Sequence, residues 1–277
     1  MEEGTRHVDR RSLLVGGVAS AVALGAAACT PDQGAVAPPS ERSVGSVAAG
    51  GTSPATPRRA GTTSTAKPTR AGDSVLRTPG GDIRSGPAHR PQVALTFHGA
   101  GDPALTRQAL ATLAARHAHV TVFAVGQWLA AHPELGRDIV AGGHDLGNHT
   151  WSHQTMPRLD ASTARTEVAR GASAVAAIAG SSPLLFRPSG TPSSTPVIRA
   201  AAAASGYARC ISYDVDPADY QDPGTSLVVH RTLAGIRAGS IVSLHLGHAG
   251  TLAALPQILD GLQRRSLRAV TMTQLLG

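Results

Sequence analysis

PQVALTFHGAGDPALTRQALATLAARHAHVTVFAV, residues 91–125, carries the pattern that decides the fold. Pro91 to Phe97 is a short apolar and β-branched run of strand type. Asp102-Pro103 then opens a helical segment to about His117, with Asp102 suited to the N-cap and Pro103 to the first turn. Val120 to Val125 reads as a second strand. The alternation continues: a helix from Trp128 to Ala141 broken near Pro133, a long Ala-rich helix opened by Asp160 and ending before Gly180, and a strand from Leu184 to Arg187. A helix over Pro196 to Ala204, a strand over Ala208 to Asp214, a helix over Thr225 to Ala238 and a strand over Ser240 to His245 follow. A helix over Leu252 to Arg264 and a strand over Arg268 to Met272 complete the series. Strands separated by helices imply an α/β fold with a parallel sheet, either a barrel or a doubly wound sheet. In both, function gathers at the carboxyl ends of the strands.

Upstream, the composition changes. Up to about His89 the chain is rich in Gly, Pro, Ser, Thr and Ala and has no sustained period, so it buries too little apolar surface to offset its chain entropy. One folded domain, residues 90–277, is therefore expected after a disordered spacer over 29–89. Residues 1–28 read as an export signal. Arg10-Arg11-Ser12-Leu13-Leu14 opens an apolar stretch to Ala28 that is short for a membrane span, and a twin-arginine signal fits it. The stretch ends in Ala26-Ala27-Ala28-Cys29, similar to a lipobox, so lipidation of Cys29 and a membrane tether are expected; an ordinary cleaved signal is the alternative. The chain is then exported, to the outer face of the cytoplasmic membrane or beyond.

The formal charge of +7 comes mostly from Arg scattered along the sequence, the aromatic content is 3%, and no groove-reading motif appears. A nucleic-acid partner is therefore not expected. With Cys29 lipidated, Cys210 has no disulfide partner and reads as a buried small hydrophobe.

Chemistry concentrates at Gly147-Asn148-His149-Thr150-Trp151-Ser152-His153. Two imidazoles four residues apart would share one face of a helical turn and could chelate a metal. Four further segments join it in order: Leu95-Thr96-Phe97, Phe186-Arg187-Pro188-Ser189-Gly190, Tyr213 to Tyr220, and Gly239 to His245. Together these resemble the five motifs of the polysaccharide deacetylases, the NodB-homology family: TFDDG, H-[ST]-x-x-H, RPP-[YF]-G, a segment ending in Asp-Trp, and Leu-x-His. The resemblance covers nearly all of the folded region and implies a single distorted (β/α) barrel.

It also implies a hydrolase that uses one divalent ion, most often zinc, to remove N-acetyl or O-acetyl groups from a cell-wall or extracellular polysaccharide, peptidoglycan or chitin-like. The resemblance assigns His149 and His153 as metal ligands, His245 as the acid with Asp219 fixing its tautomer, and Arg187 as partner of the base. Tyr220, Pro188 and Ser189 would then meet the sugar. The first motif departs from the family: His98 and Gly99 stand where it carries a base Asp and a ligand Asp. Asp102, three residues on across the Gly99–Gly101 bridge, is expected to fold back as the third ligand; the alternative is that it only caps the helix at Pro103. His98 is then the candidate base. His144 and His248 flank these segments and read as surface or capping groups, with a ligand or base role as the alternative. The missing Asp pair leaves a second reading, a catalytically inactive relative that binds carbohydrate in the same groove.

Overall fold

The structure, a computed structural model, describes residues 71–181 and 183–277. The expected export signal, Cys29 and the spacer as far as residue 70 lie outside the described residues. The described chain is built on strands β1 (Gln92–Gly99), β2 (Thr121–Ala124), β3 (Asp145–Asn148), β4 (Ile241–His245) and β5 (Arg268–Val270). They are parallel, in the order β3-β2-β1-β4, with β5 against the start of β1. Nine helices accompany them among the described residues: α1 (Ala71–Arg77), α2 (Pro103–Ala115), α3 (Gly126–Ala131), α4 (Pro133–Ala141), α5 (Ala161–Ala179), α6 (Pro196–Ala204), α7 (Thr225–Gly235), α8 (Ala249–Arg264) and α9 (Met272–Leu276).

Sheet burial explains the apolar run at β1. Val93, Ala94, Leu95, Thr96 and Phe97 are all buried, because a central parallel strand is covered on both faces. Helix α8 packs Ala254, Leu255, Ile258, Leu259 and Leu262 onto the core, the spacing of one helical face. The register sets the chemistry. His98 lies opposite Phe123 on β2 and opposite His245 on β4, so two imidazoles stand side by side at the carboxyl end of the sheet.

The expected strands Leu184–Arg187 and Ala208–Asp214 exist only as single bridges. Asn148 bridges Phe186, the Ile211 N–H donates to the Phe186 carbonyl at 2.8 Å, and Val215 bridges Val242 of β4. Past β3 the pairing continues only through these single contacts. Pro188, which has no N–H to continue a ladder with Ile211, limits that pairing, and the Arg187 side chain donates instead to the carbonyls of Ile211 and Ser212. Two other expectations shift. Ordered structure begins before Arg90, since α1 buries Leu76 and Ile83 bridges Ile211. These apolar residues are isolated in the sequence, so no period revealed them. The last strand stops at Val270, where Thr271 opens α9 through a capping box with Gln274.

His144 gives the fold an acid limit. Its Nδ1 accepts the Val120 N–H at 3.2 Å, and burial, then the neighbouring His119, pushes its pKa down to about 4. The unfolded chain binds this proton below about 6.5 and the folded chain only below about 4. Stability is therefore full above pH 6.5 and falls as pH drops toward 4, by about 1–3 kcal/mol for this ring. His144→Asn, whose amide oxygen keeps the acceptor, is expected to flatten the melting temperature over that window; equal slopes in both proteins would refute the assignment.

Candidate active site

Four imidazoles meet at the carboxyl ends of the strands. His98 is the penultimate residue of β1, His245 ends β4, and His149 and His153 lie on the loop after β3. Ring centroids are 4.3 Å apart for His98 and His149, 4.2 Å for His98 and His245, and 4.9 Å for His149 and His153. One nitrogen each of His98, His149 and His153 falls within 4.8 Å of the others. The loop is not the helical turn that its spacing suggested. Thr150 and His153 both have left-handed backbone, at φ 68° and 59°, which folds the loop sharply enough to bring the two rings together.

Local contacts fix the loop. The Asn148 amide donates to the Val168 carbonyl at 2.9 Å and to the Tyr207 hydroxyl at 3.1 Å, and its oxygen accepts the Thr150 N–H at 2.9 Å. Helix α5 approaches through Gly171, where a Cβ would stand 2.2 Å from the Asn148 amide oxygen and 2.8 Å from the Thr150 carbonyl. His149 is fully buried, and its Nδ1 lies 2.8 Å from the Arg187 carbonyl. A carbonyl only accepts, so Nδ1 carries the proton and Nε2 is a bare lone pair. That Nε2 is buried without a hydrogen-bond partner. An orphaned nitrogen beside two further imidazoles is the donor set a borderline divalent ion takes.

Electrostatics keep these rings neutral. His98 is held well below the ordinary histidine range, first by burial and then by His149, His245 and Arg187. His149 is lowered likewise by burial and then by His153, and His153 by burial and then by His245. Neutral imidazole is the ligand form. Arg187, also buried, is pushed down to about 9 by desolvation and stays cationic at neutral pH. Its donors reach the Thr96 hydroxyl at 2.8 Å, the Ser212 carbonyl at 3.0 Å and the Ile211 carbonyl at 3.3 Å. It therefore forms no ion pair with Asp102. Across the site, buried Asp219 accepts from His245 Nδ1 at 2.8 Å, from the His245 N–H at 2.8 Å and from the Thr251 hydroxyl at 2.6 Å.

The expected ligand Asp102 is not brought to the imidazoles. Its exposed carboxylate accepts the Ala104 N–H at 2.6 Å and caps α2. The bridge before it is pinned, because the Trp128 indole N–H donates to the Gly101 carbonyl at 3.0 Å and Gly101 packs against the Gly247 backbone. His98, expected as the base, occupies the third donor position instead. No carboxylate fits at Gly99 either: a Cβ there would stand 2.7 Å from Val122 and 3.0 Å from the Ala124 backbone. Pro188 and Ser189, expected to meet the sugar, are buried; the Ser189 hydroxyl bonds Thr150 and the Gln154 carbonyl, tying the third motif to the second. Tyr220 is exposed, its ring 5.3 Å from that of His245.

The sequence reading missed Asn148, Glu167 and Thr251. Glu167 alone carried a signal, as the one acid of α5 at a position spaced with the buried face of Ala164, Val168, Gly171 and Val175.

Comparison with known proteins identifies the family. Residues 85–209 match the family model described as polysaccharide deacetylase. A peptidoglycan-N-acetylglucosamine deacetylase of Bacillus cereus is 31% identical over 187 residues, covering 66% of this chain and 87% of that one. A chitooligosaccharide deacetylase of Bradyrhizobium sp. is 32% identical over 199 residues, covering 66% and 90%. The crystal structure of a CE4 family pseudoenzyme from Bacillus anthracis shares the fold, with a TM-score of 0.67 at 23% identity over 72% of this chain and 70% of that one. The motif order, the parallel α/β wall and these relatives place the chain in the polysaccharide deacetylase family, hydrolases that act on carbon–nitrogen bonds other than peptide bonds.

Proposed function

We propose that this chain removes N-acetyl groups from a cell-wall glycan, using a divalent cation, most often zinc, held by His98, His149 and His153. The observation that carries the reading is the buried, unpartnered Nε2 of His149 beside two other neutral imidazoles. When bound, such a cation supplies an acidified water and polarises the acetyl carbonyl. The remaining steps belong to the protein. His149 is locked in the ligand tautomer by the Arg187 carbonyl. His245 is oriented by Asp219 through Nδ1, which leaves its Nε2 to exchange protons with substrate. With His98 in the donor set rather than acting as base, His245 takes the water proton and returns it to the departing nitrogen. Tyr220 offers an exposed ring face for the sugar beside it.

Peptidoglycan or a chitin-like oligosaccharide is the substrate class, by likeness to the Bacillus and Bradyrhizobium relatives. That class requires export, consistent with the twin-arginine pattern and with lipidation at Cys29 as the membrane tether. Among the described residues no helix is long and apolar enough to cross a membrane.

The purified chain is expected to hold about one zinc per molecule, and His149→Ala to hold none. An all-imidazole set favours zinc, copper and nickel over magnesium and calcium. Elemental analysis after dialysis decides this, and a wild-type chain that emerges without metal overturns the reading. The second reading, a sugar-binding relative without turnover, is favoured by the absence of both first-motif aspartates at His98 and Gly99. Acetate release from acetylated chito-oligosaccharides or peptidoglycan separates the two.

A further inference from the structure

Glu167 is 5% exposed, yet among the described residues it forms no ion pair. A buried carboxylate without a counter-charge costs several kcal/mol unless hydrogen bonds replace its water. Here they come from one place. Oε2 accepts the Trp151 N–H at 3.1 Å and the Ser152 N–H at 2.8 Å, and Oε1 accepts the Ser152 hydroxyl at 2.6 Å and the Gln154 side-chain amide at 3.3 Å. All four donors flank His153 in the sequence. Three of them lie between Thr150 and His153 and the fourth is on Gln154, the next residue; Thr150 and His153 have left-handed backbone, a conformation that persists in non-glycine residues only where the surroundings hold it.

A neutral glutamine would offer one acceptor oxygen to these donors, where the carboxylate offers two. The charge has a further use. Three imidazoles bring no negative charge to a dication, and no carboxylate belongs to their set. We propose that Glu167 is the positioning residue for His153 and sets the affinity of the three-imidazole site for its cation. The inference rests on the cation reading given above. Outer carboxylates that orient metal ligands carry effects of this kind, about 10–100-fold in affinity.

The test uses the full chain, with zinc affinity read by competition against a chromophoric chelator and geometry read from the visible absorption of the cobalt(II)-loaded protein. Glu167→Gln is expected to bind zinc about 10–100-fold more weakly than wild type, with an altered cobalt band and an unchanged far-UV circular dichroism spectrum. Affinity within twofold of wild type and an unmoved band overturn the inference while leaving the cation reading intact. A wild-type chain that binds no zinc overturns the cation reading itself. Should Glu167→Gln fail to fold, Ser152→Ala carries the test, since it deletes the hydroxyl bond to Oε1 and the bond that hydroxyl accepts from the Gln154 amide but keeps both backbone donors to Oε2: weaker zinc binding supports the inference and unchanged binding overturns it.

Discussion

Arg187→Ala is expected to lower the stability of the folded region by about 3–5 kcal/mol, a fall in melting temperature on the order of 10 °C. Arg187 is 1% exposed, and its guanidinium lies 4.3 Å from the Phe123 ring centroid and 5.3 Å from that of Tyr213. Its donors satisfy the Ile211 and Ser212 carbonyls and the Thr96 hydroxyl. Truncation therefore strands two carbonyls and opens a cavity between β1 and the segment around Ile211. The family resemblance gave this Arg a base carboxylate to hold. With His98 and Gly99 at those positions, its donors turn to the Thr96 hydroxyl and the backbone, and the residue becomes a brace for the fold. Arg187→Lys should recover little, since an ammonium cannot reproduce the planar fork that reaches Thr96, Ile211 and Ser212 at once. Arg187→Met should fall between, restoring volume without the donors. Urea melts read all three, and an Arg187→Ala protein within 1 kcal/mol of wild type would refute this account.

How far the sequence could be read follows from the range of the forces involved. Strand β1, the Pro133 break, α5 from Asp160 to Gly180 and α6 were legible because strand period, proline and capping act over a few residues. The segments around Phe186 and Ile211 look like strands locally, but Pro188 offers no N–H to extend their pairing, and the Ile211 carbonyl accepts from Arg187, 24 residues away. The same limit shaped the site. The motif order identified His98, His149, His153, His245 and Asp219, which do converge. The His149–His153 spacing read as helical because nothing local announces two left-handed residues held from α5 by Glu167 and Gly171. Asp102 looked free to move across a glycine bridge, but the Trp128 indole pins that bridge from 27 residues away. An N-cap carboxylate already bonded to Ala104 also has a local reason to stay on its helix.

His245→Ala is expected to reduce acetate release by about 10²–10⁴-fold while leaving zinc content unchanged, because His245 lies outside the three-imidazole set. Asp219→Asn should approach the same loss by a different route. The Asp219 carboxylate only accepts, which puts the proton on His245 Nδ1 and leaves Nε2 bare toward the rings of His98 and the site. An asparagine can present its amide N–H to Nδ1 instead, which moves the ring proton to Nε2 and blocks proton uptake there. Residues that act as one unit are not additive, so the double variant should be no slower than His245→Ala alone. Asp219 also accepts the His245 backbone N–H and the Thr251 hydroxyl, so Asp219→Asn should cost stability that His245→Ala does not. Thr251→Ala separates these effects: it removes one support of the carboxylate but leaves the bond to Nδ1, and should weaken turnover far less than Asp219→Asn. Turnover within tenfold of wild type in His245→Ala, with zinc still bound, would leave the proton transfers to another group and remove His245 from the mechanism.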